Sequence, residues 1–313
     1  MLLGSLLVAG AAALFGTLGI VSRGASEAGL DALPFVAWRA ALATVALLAG
    51  VALVGARSGR PPHPGRLSER QRWALLGACL CGALLNLAIF AAFLRTTIAV
   101  ALICFYSFPA IVTLAAVRLY GDRLDRPRVA ALLLSSAGLL LVLLAPGVNA
   151  GGLELDVLGV GLALFAAVCQ AIFLLLSGRG FKPLRALDVS VFVIAAALLV
   201  SLALVPLLGA VESLLLPLQS GDAWFWIVAG GLTGAAIPTT ALMAGLGLIG
   251  PARTAILMTF EPVVGVLLAG LLLNEQPAPL QLLGGAAVLL AAVVLQVAPR
   301  APVPHETGFS HQV

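Results

Sequence analysis

The stretch MTFEPVVGVL, Met258 to Leu267, sets one carboxylate beside a proline inside an apolar run. Glu261 could carry a proton, pair with an amine on a substrate, or accept hydrogen bonds from donors on neighbouring helices. Charged and surrounded by hydrocarbon it costs several kcal/mol, unless water, a donor or a bound proton satisfies it. Pro262 beside it lacks a backbone N–H, so the Met258 carbonyl loses its helical partner. Pro109 does the same to Phe105, and Pro238 to Gly234. In an apolar medium such carbonyls persist only where protein or a water-filled cavity satisfies them. Pro109 and Pro262 therefore read as helix breaks beside a central cavity, with a purely shape-giving role in packing as the alternative.

A second group consists of polar or aromatic residues deep in apolar runs: Phe15, Asn86, Phe90, Tyr106, Phe108, Gln170, Thr239, Thr240 and Met243. Together they could line a substrate-binding cavity, aromatic and Met side chains holding an apolar body and amides or hydroxyls its polar ends. Singly, each also fits an interhelical hydrogen bond or a packing contact. Arg39, in PFVAWRAALA, reads as an anchor at the headgroups or a partner for an outer acidic residue, the alternative being recognition of a substrate carboxylate. Arg95 has the same ambiguity.

No catalytic constellation, metal site or cofactor motif accompanies these residues. Cys79, Cys81, Cys104 and Cys169 all lie in apolar runs without a neighbouring histidine, which gives neither a zinc site nor a disulfide framework. His63 falls in a loop, and His305 and His311 in the tail are at most adventitious ligands. There is no GxxxxGK[ST] phosphate loop, so ATP is not the direct energy source.

The elements that must position these residues follow from composition. With 62% hydrophobic and 10% charged residues in 313, the chain has too little polar surface for a water-soluble globule and belongs in a lipid bilayer. A spanning helix needs about 20 apolar residues, and about ten such runs recur, at roughly 2–22, 33–55, 73–94, 98–117, 129–145, 153–177, 187–209, 223–247, 252–273 and 279–298. The fold class is an all-α membrane protein of ten transmembrane helices. Its first run lacks a basic leader region and reads as a retained helix. Glu261 then lies about nine residues, roughly 13 Å, from the inner end of its helix.

Lysine and arginine accumulate on the untranslocated side. With both termini cytoplasmic, the inner loops collect Arg57, Arg60, Arg66, Arg70, Arg72, Arg118, Arg123, Arg126, Arg128, Arg179, Lys182, Arg185, Arg253 and Arg300 of the 17 basic residues. The outer side keeps Arg23 and Arg95, with Arg39 just inside the second span, and carries Glu27, Asp31, Glu154, Asp156, Glu212, Asp222 and Glu275. This asymmetry, rather than nucleic-acid binding, accounts for the pI of about 9.2. The Pro-rich tail, 299–313, reads as disordered and cytoplasmic.

Trp73 and Trp226 are 153 residues apart, and the same offset aligns Pro109 with Pro262. ALICFYSFPAIVTLAAVRLYGD then lies over TAILMTFEPVVGVLLAGLLLNE, with Asp122 over Glu275, Asn86 over Thr239 and Phe90 over Met243. Two halves of five spans each, residues 1–148 and 149–298, must run oppositely through the membrane, as inverted repeats do. Ten spans as two fives, FPAIVTLAAVRLYGDRL closing the fourth and EPVVGVLLAGLLLNEQP the ninth, resemble the EamA-type branch of the drug/metabolite transporter superfamily over residues 2–298. Within it, FYSFP resembles the YddG-type amino-acid exporters. The resemblance attaches the Glu261 position to members with differing substrates, which favours a structural role for that carboxylate.

The resulting expectation is a secondary transporter that exports small organic metabolites, foremost amino acids, aromatic or otherwise neutral, by alternating access across a bacterial-type cytoplasmic membrane. It is expected not to be an enzyme. Its partners are a small-molecule substrate and the lipid bilayer, not nucleic acid. A self-contained repeat suits a monomer, while GxxxG-like faces leave a dimer open. The alternatives are a lipid-handling membrane protein or a transporter of another metabolite such as a nucleobase or drug.

Overall fold

Apolar runs of this length bury their backbone hydrogen bonds in helices, because hydrocarbon offers no other partner. A computed structural model of the chain describes residues 1–58, 67–93, 95–96, 98–120, 125–144, 156–178, 181, 184–219, 221–272 and 278–297. Among these it is all-helical. The expectations about Arg60, His63, Arg66, Asp122, Arg123, Glu154, Arg179, Lys182, Glu275, Arg300, the tail with His305 and His311, and the side chains of Arg57 and Phe90 lie outside the described residues.

The first span is two helices, α1 (Leu2–Gly16) and α2 (Leu18–Glu27), which meet at Thr17. The second and third are α3 (Ala32–Ser58) and α4 (Glu69–Phe93). The fourth is again two pieces, α5 (Ile98–Phe105) and α6 (Phe108–Tyr120), and the fifth is α7 (Arg126–Leu143). The second half continues with α8 (Val157–Gly178) and α9 (Ala186–Leu207). A short helix, α10 (Val211–Gln219), lies in the connection to the eighth span. That span is α11 (Trp224–Gly231), a π-helical turn over Leu232–Ala236, and α12 (Ile237–Ile249). The ninth is α13 (Pro251–Met258) and α14 (Phe260–Leu272), and the tenth is α15 (Pro279–Val297). Nine of these spans are long and apolar enough to cross a membrane among the described residues, and α15 carries a shorter apolar stretch, Pro279–Leu295.

Local sequence explains several of the ends. Asp125 caps α7 by accepting from the Arg128 amide at 3.1 Å, with Pro127 in the first turn where its missing N–H costs nothing. The Asp156 carboxylate takes the Gly159 amide at 2.6 Å and starts α8. Gly250, at φ +79°, turns the chain from α12 into α13 within one residue, and Pro251 opens the next helix.

Small residues set the helix spacing. A Cβ at Gly245 would fall 2.7 Å from the Gly4 backbone oxygen, so α1 and α12 cross nearly backbone to backbone. Gly138 and Gly284 do the same for α7 and α15. The opposite faces present large apolar side chains outward, among them Leu48, Leu199, Phe225 and Leu271, as a lipid-facing surface requires.

The interior is divided unequally. At the end of the bundle that holds Met1, α1, α6, α8, α12 and α13 pack together, and one large cluster runs through Val8, Ala12, Val112, Leu174, Leu246 and Ile256. Every residue of α13 is buried there. The other buried side chains form three smaller clusters. One joins Val21, Ala25, Leu30, Phe35 and Ile227. A second joins Ala40, Ala43, Leu47, Ile194, Ala235 and Ala236. The third joins Ala88, Ala92, Ala101, Ala163 and Ala166.

Four expectations change. The first span is interrupted at Thr17 and runs on to Glu27. Glu69 rather than Trp73 begins α4. An extra helix, α10, occupies the loop before the eighth span. Arg253, counted from sequence with the loop charges, is buried in the first turn of α13, its Nη1 3.5 Å from the Met1 sulfur.

Candidate functional site

Three breaks share one local construction. Thr17, Ser107 and Thr259 each turn both their backbone N–H and their side-chain hydroxyl onto the carbonyl three residues earlier. Thr17 takes Leu14 (hydroxyl 2.7 Å, amide 3.1 Å), Ser107 takes Cys104 (2.7 and 3.2 Å), and Thr259 takes Ile256 (2.7 and 3.2 Å). A doubled bond to the i−3 carbonyl tightens the last turn and ends the α-helix there. Pro109 and Pro262 were expected to be the break points themselves. Instead the helices end four residues before them, at Phe105 and Met258, and each proline stands in the first turn of the new helix, where no partner for its nitrogen is needed. Pro238 behaves differently: the chain above it relaxes into the π turn, with the Ile237 amide reaching back to Leu232.

These interrupted spans converge. Gly16, at the first break, lies against the first turn of α14, where a Cβ would come within 2.7 Å of the Glu261 backbone oxygen and 3.0 Å of Val264 Cβ. Thr17 Oγ1 stands 3.4 Å from Thr233 Oγ1 in the π turn of the eighth span. Tyr106, at the break of the fourth span, lies with its side chain beside the Glu261 carboxyl. Its ring packs edge-on to Phe105 at 5.3 Å and lies 5.8 Å from Phe108. The three aromatics form one block that fixes Tyr106.

Around this centre the other sequence candidates fall into distinct groups. Gln170 is only 7% exposed, on α8, and Thr239 5% exposed, on α12, yet among the described residues neither side chain has a hydrogen-bond partner. Neither polar group is completely sealed off by protein. Phe15, two residues before Thr17, and buried Met243 join the large core cluster. Phe108, 1% exposed, is packed behind Tyr106. Asn86 gives its Nδ2 to the Gly82 carbonyl of its own helix at 2.8 Å, and Thr240 its hydroxyl to Ala236 at 2.9 Å. Backbone bonds of this kind leave those two less free to meet a ligand than Gln170 and Thr239. A cleft of about 210 Å³ between α14 and α15, lined by Val263, Leu267, Gln281 and Gly285, is apolar and lies apart from Tyr106.

Sequence reasoning did not find the hydroxyl breaks. A signal existed: a Ser or Thr stands two or three residues before Pro109 and Pro262, and a Gly-Thr pair interrupts the first span. Arg39 was expected at the headgroups or on an outer acid. It is instead partly buried, and its Nη1 donates to the Gly234 carbonyl at 2.9 Å, the oxygen that Pro238 leaves without a helical donor. At the same end Trp38 Nε1 donates to Leu214 in α10 at 2.8 Å, which ties the extra helix to α3.

Two copies of five spans, each with a break in its fourth, have a counterpart among known families. The EamA-like transporter family matches residues 2–144 and again 157–297, one segment on each half. The chain belongs to the EamA-like transporter family. It is a multi-pass membrane transporter of small molecules, built as two five-helix EamA repeats of inverted orientation. A protein crystal structure matches at 22% identity with a TM-score of 0.73, covering 93% of this chain and 96% of its own, which supports the shared fold. No curated protein matches in sequence. For an EamA-type transporter, the meeting of the fourth and ninth spans at Tyr106 and Glu261 joins the two repeats at their equivalent interruptions.

Proposed function

We propose that the protein is a secondary transporter that exports neutral amino acids or closely related metabolites across the cytoplasmic membrane of a bacterial-type cell, with both termini inside. Residues 1–148 and 149–298 form the two repeats, and 299–313 are a cytoplasmic tail. The observation that carries this reading is the convergence of four interrupted spans through Thr17, Thr233, Gly16 and Glu261, together with the buried, unpartnered and unsealed polar groups of Gln170 and Thr239. An inert bundle would satisfy such groups internally, because a buried amide without a partner costs about 1–3 kcal/mol. A transporter leaves them for the substrate. Tyr106, Phe15 and Met243 supply apolar surface for a side chain, and Gln170 and Thr239 supply hydrogen bonds for its polar ends.

The unequal packing of the two ends supports alternating access. One continuous core closes the Met1 end, where the basic loops lie. The remaining buried side chains split into separate, smaller clusters, which suits a state that faces away from the cytoplasm. Short helices joined at Thr17, Ser107, Thr259 and the π turn give the bundle places to bend without losing its long packed segments.

The test is flux in proteoliposomes with labelled amino acids, with and without a pH gradient, for the wild type and Glu261→Gln. Saturable wild-type flux is expected. Gradient dependence that disappears in a well-folded Glu261→Gln protein would make Glu261 the proton site. Flux that never depends on the gradient leaves Glu261 in a structural role beside Tyr106. Absence of flux for every amino acid would overturn the substrate class.

A further inference from the structure

Arg39 holds more hydrogen-bonding capacity than its structural contact uses. It lies seven residues into α3, and one of its five N–H groups meets the Gly234 carbonyl. Among the described residues it has no carboxylate partner and no second hydrogen bond, and its remaining nitrogens are not sealed by protein. They do not face lipid either. Leu48, nine residues and so two and a half turns along α3, is 51% exposed on the outer face, which puts Arg39 on the opposite one. A single orphaned carbonyl would be satisfied by a neutral amide, so capping Gly234 does not account for a full positive charge at this depth. The neighbouring residue, Thr233, reaches Thr17, and Gly16 beside it lies on the Glu261 backbone. A chain of contacts through Thr233, Thr17 and Gly16 thus links the seat of Arg39 to the Glu261 backbone.

We propose that Arg39 is the anion anchor of the transport site. Pinned by the Gly234 carbonyl, it presents the rest of its planar fork to the carboxylate of the substrate, while Glu261 and Tyr106 lie toward the substrate's other end. The inference rests on the transporter reading and narrows it to ligands that bear a free carboxylate. A guanidinium suits this because its paired N–H groups match both oxygens of one carboxylate, which a lysine ammonium cannot do. The π turn has a role in this arrangement: opening the helix at Gly234 gives Arg39 a fixed seat without an acidic partner that would neutralise it.

Labelled phenylalanine and labelled phenylalaninamide, which lacks only the carboxylate, are followed into proteoliposomes carrying wild type, Arg39→Lys or Arg39→Gln. The wild type should prefer phenylalanine. Arg39→Gln should lower kcat/KM for phenylalanine by about tenfold to a hundredfold, the loss of one charge-assisted contact, and leave the amide within about twofold. Arg39→Lys, which keeps the charge and the capped carbonyl, should fall between. Equal losses for both compounds would make Arg39 a structural clasp and overturn the anchor. Wild-type protein that carries both compounds alike also overturns it, while the transport reading stands. Wild type that carries neither overturns the amino-acid reading itself, and the anchor with it.

Discussion

Tyr106 and Glu261 meet across the middle of the molecule, one from the interrupted fourth span and the other from the interrupted ninth. The 153-residue offset that aligns Pro109 with Pro262 carries Tyr106 onto Thr259, the break residue of the second half. Each repeat therefore brings its discontinuity to the same place, with the Tyr106 side chain beside the Glu261 carboxyl. The ring block of Phe105, Tyr106 and Phe108 holds Tyr106 in place beside that carboxyl.

Tyr106→Phe removes the hydroxyl and keeps the ring. The loss of one polar contact of this kind costs about 0.5–1.5 kcal/mol. The protein should still fold in detergent with a lower melting temperature, and transport should fall several-fold. Tyr106→Ala also opens a cavity and should cost about 3–5 kcal/mol. Melting curves and flux on the same preparations separate the two, and wild-type flux in Tyr106→Phe would dissociate the pair from function.

Gly16→Ala adds a methyl within 2.7 Å of the Glu261 backbone oxygen, where no flexible side chain can yield. Overpacking of this kind costs about 1–3 kcal/mol. It should push α1 and α14 apart and impair transport. Gly10→Ala on the same helix meets nothing within 4 Å and should leave both stability and transport unchanged. A null effect at Gly16 would mean that the first break does not press on α14 in the membrane.

Thr259→Val keeps the side-chain shape and deletes the hydroxyl that seals the Ile256 carbonyl at 2.7 Å. The cost should be about 0.5–1.5 kcal/mol, read as a melting shift of a few degrees. Ser107→Ala should behave alike, because it deletes the same bond at Cys104. If the two breaks are equivalent bending points, both variants should also change the transport rate in the same direction. Opposite signs would argue against equivalent roles.

Asp188→Asn tests whether an ion pair outside the membrane core matters. Arg185 and Asp188 meet at 3.0 Å at the start of α9, with Asp188 buried and Arg185 partly open to water. The Asp188 carboxylate also caps the Arg185 amide at 2.9 Å. Asparagine can still accept that bond, so the loss should stay near 1 kcal/mol, and transport should be normal.

Long-range order along the chain was readable because it rests on simple physics. Runs of Leu, Ala and Val the length of a bilayer must be helices, and two sets of five separated by a constant offset must be inverted. Pro109 and Pro262 pointed to the right neighbourhood, since only a proline removes a donor by covalent structure. Gln170 and Thr239 stood out as polar groups in apolar runs.

What sequence alone determined was where hydrophobicity begins and ends, and hence the ten spans and the two halves. Which residues end a helix within a span was decided only in three dimensions. Thr17, Ser107 and Thr259 are ordinary hydroxyl residues until their neighbours accept an ended helix beside them. Arg39 shows the same limit: its nearness to the outer interface in sequence suggested headgroups or an acid. Its partner is a backbone oxygen 195 residues away, made available by a proline in another span. Backbone acceptors carry no signature in a side-chain sequence, so only the packed structure could pair them.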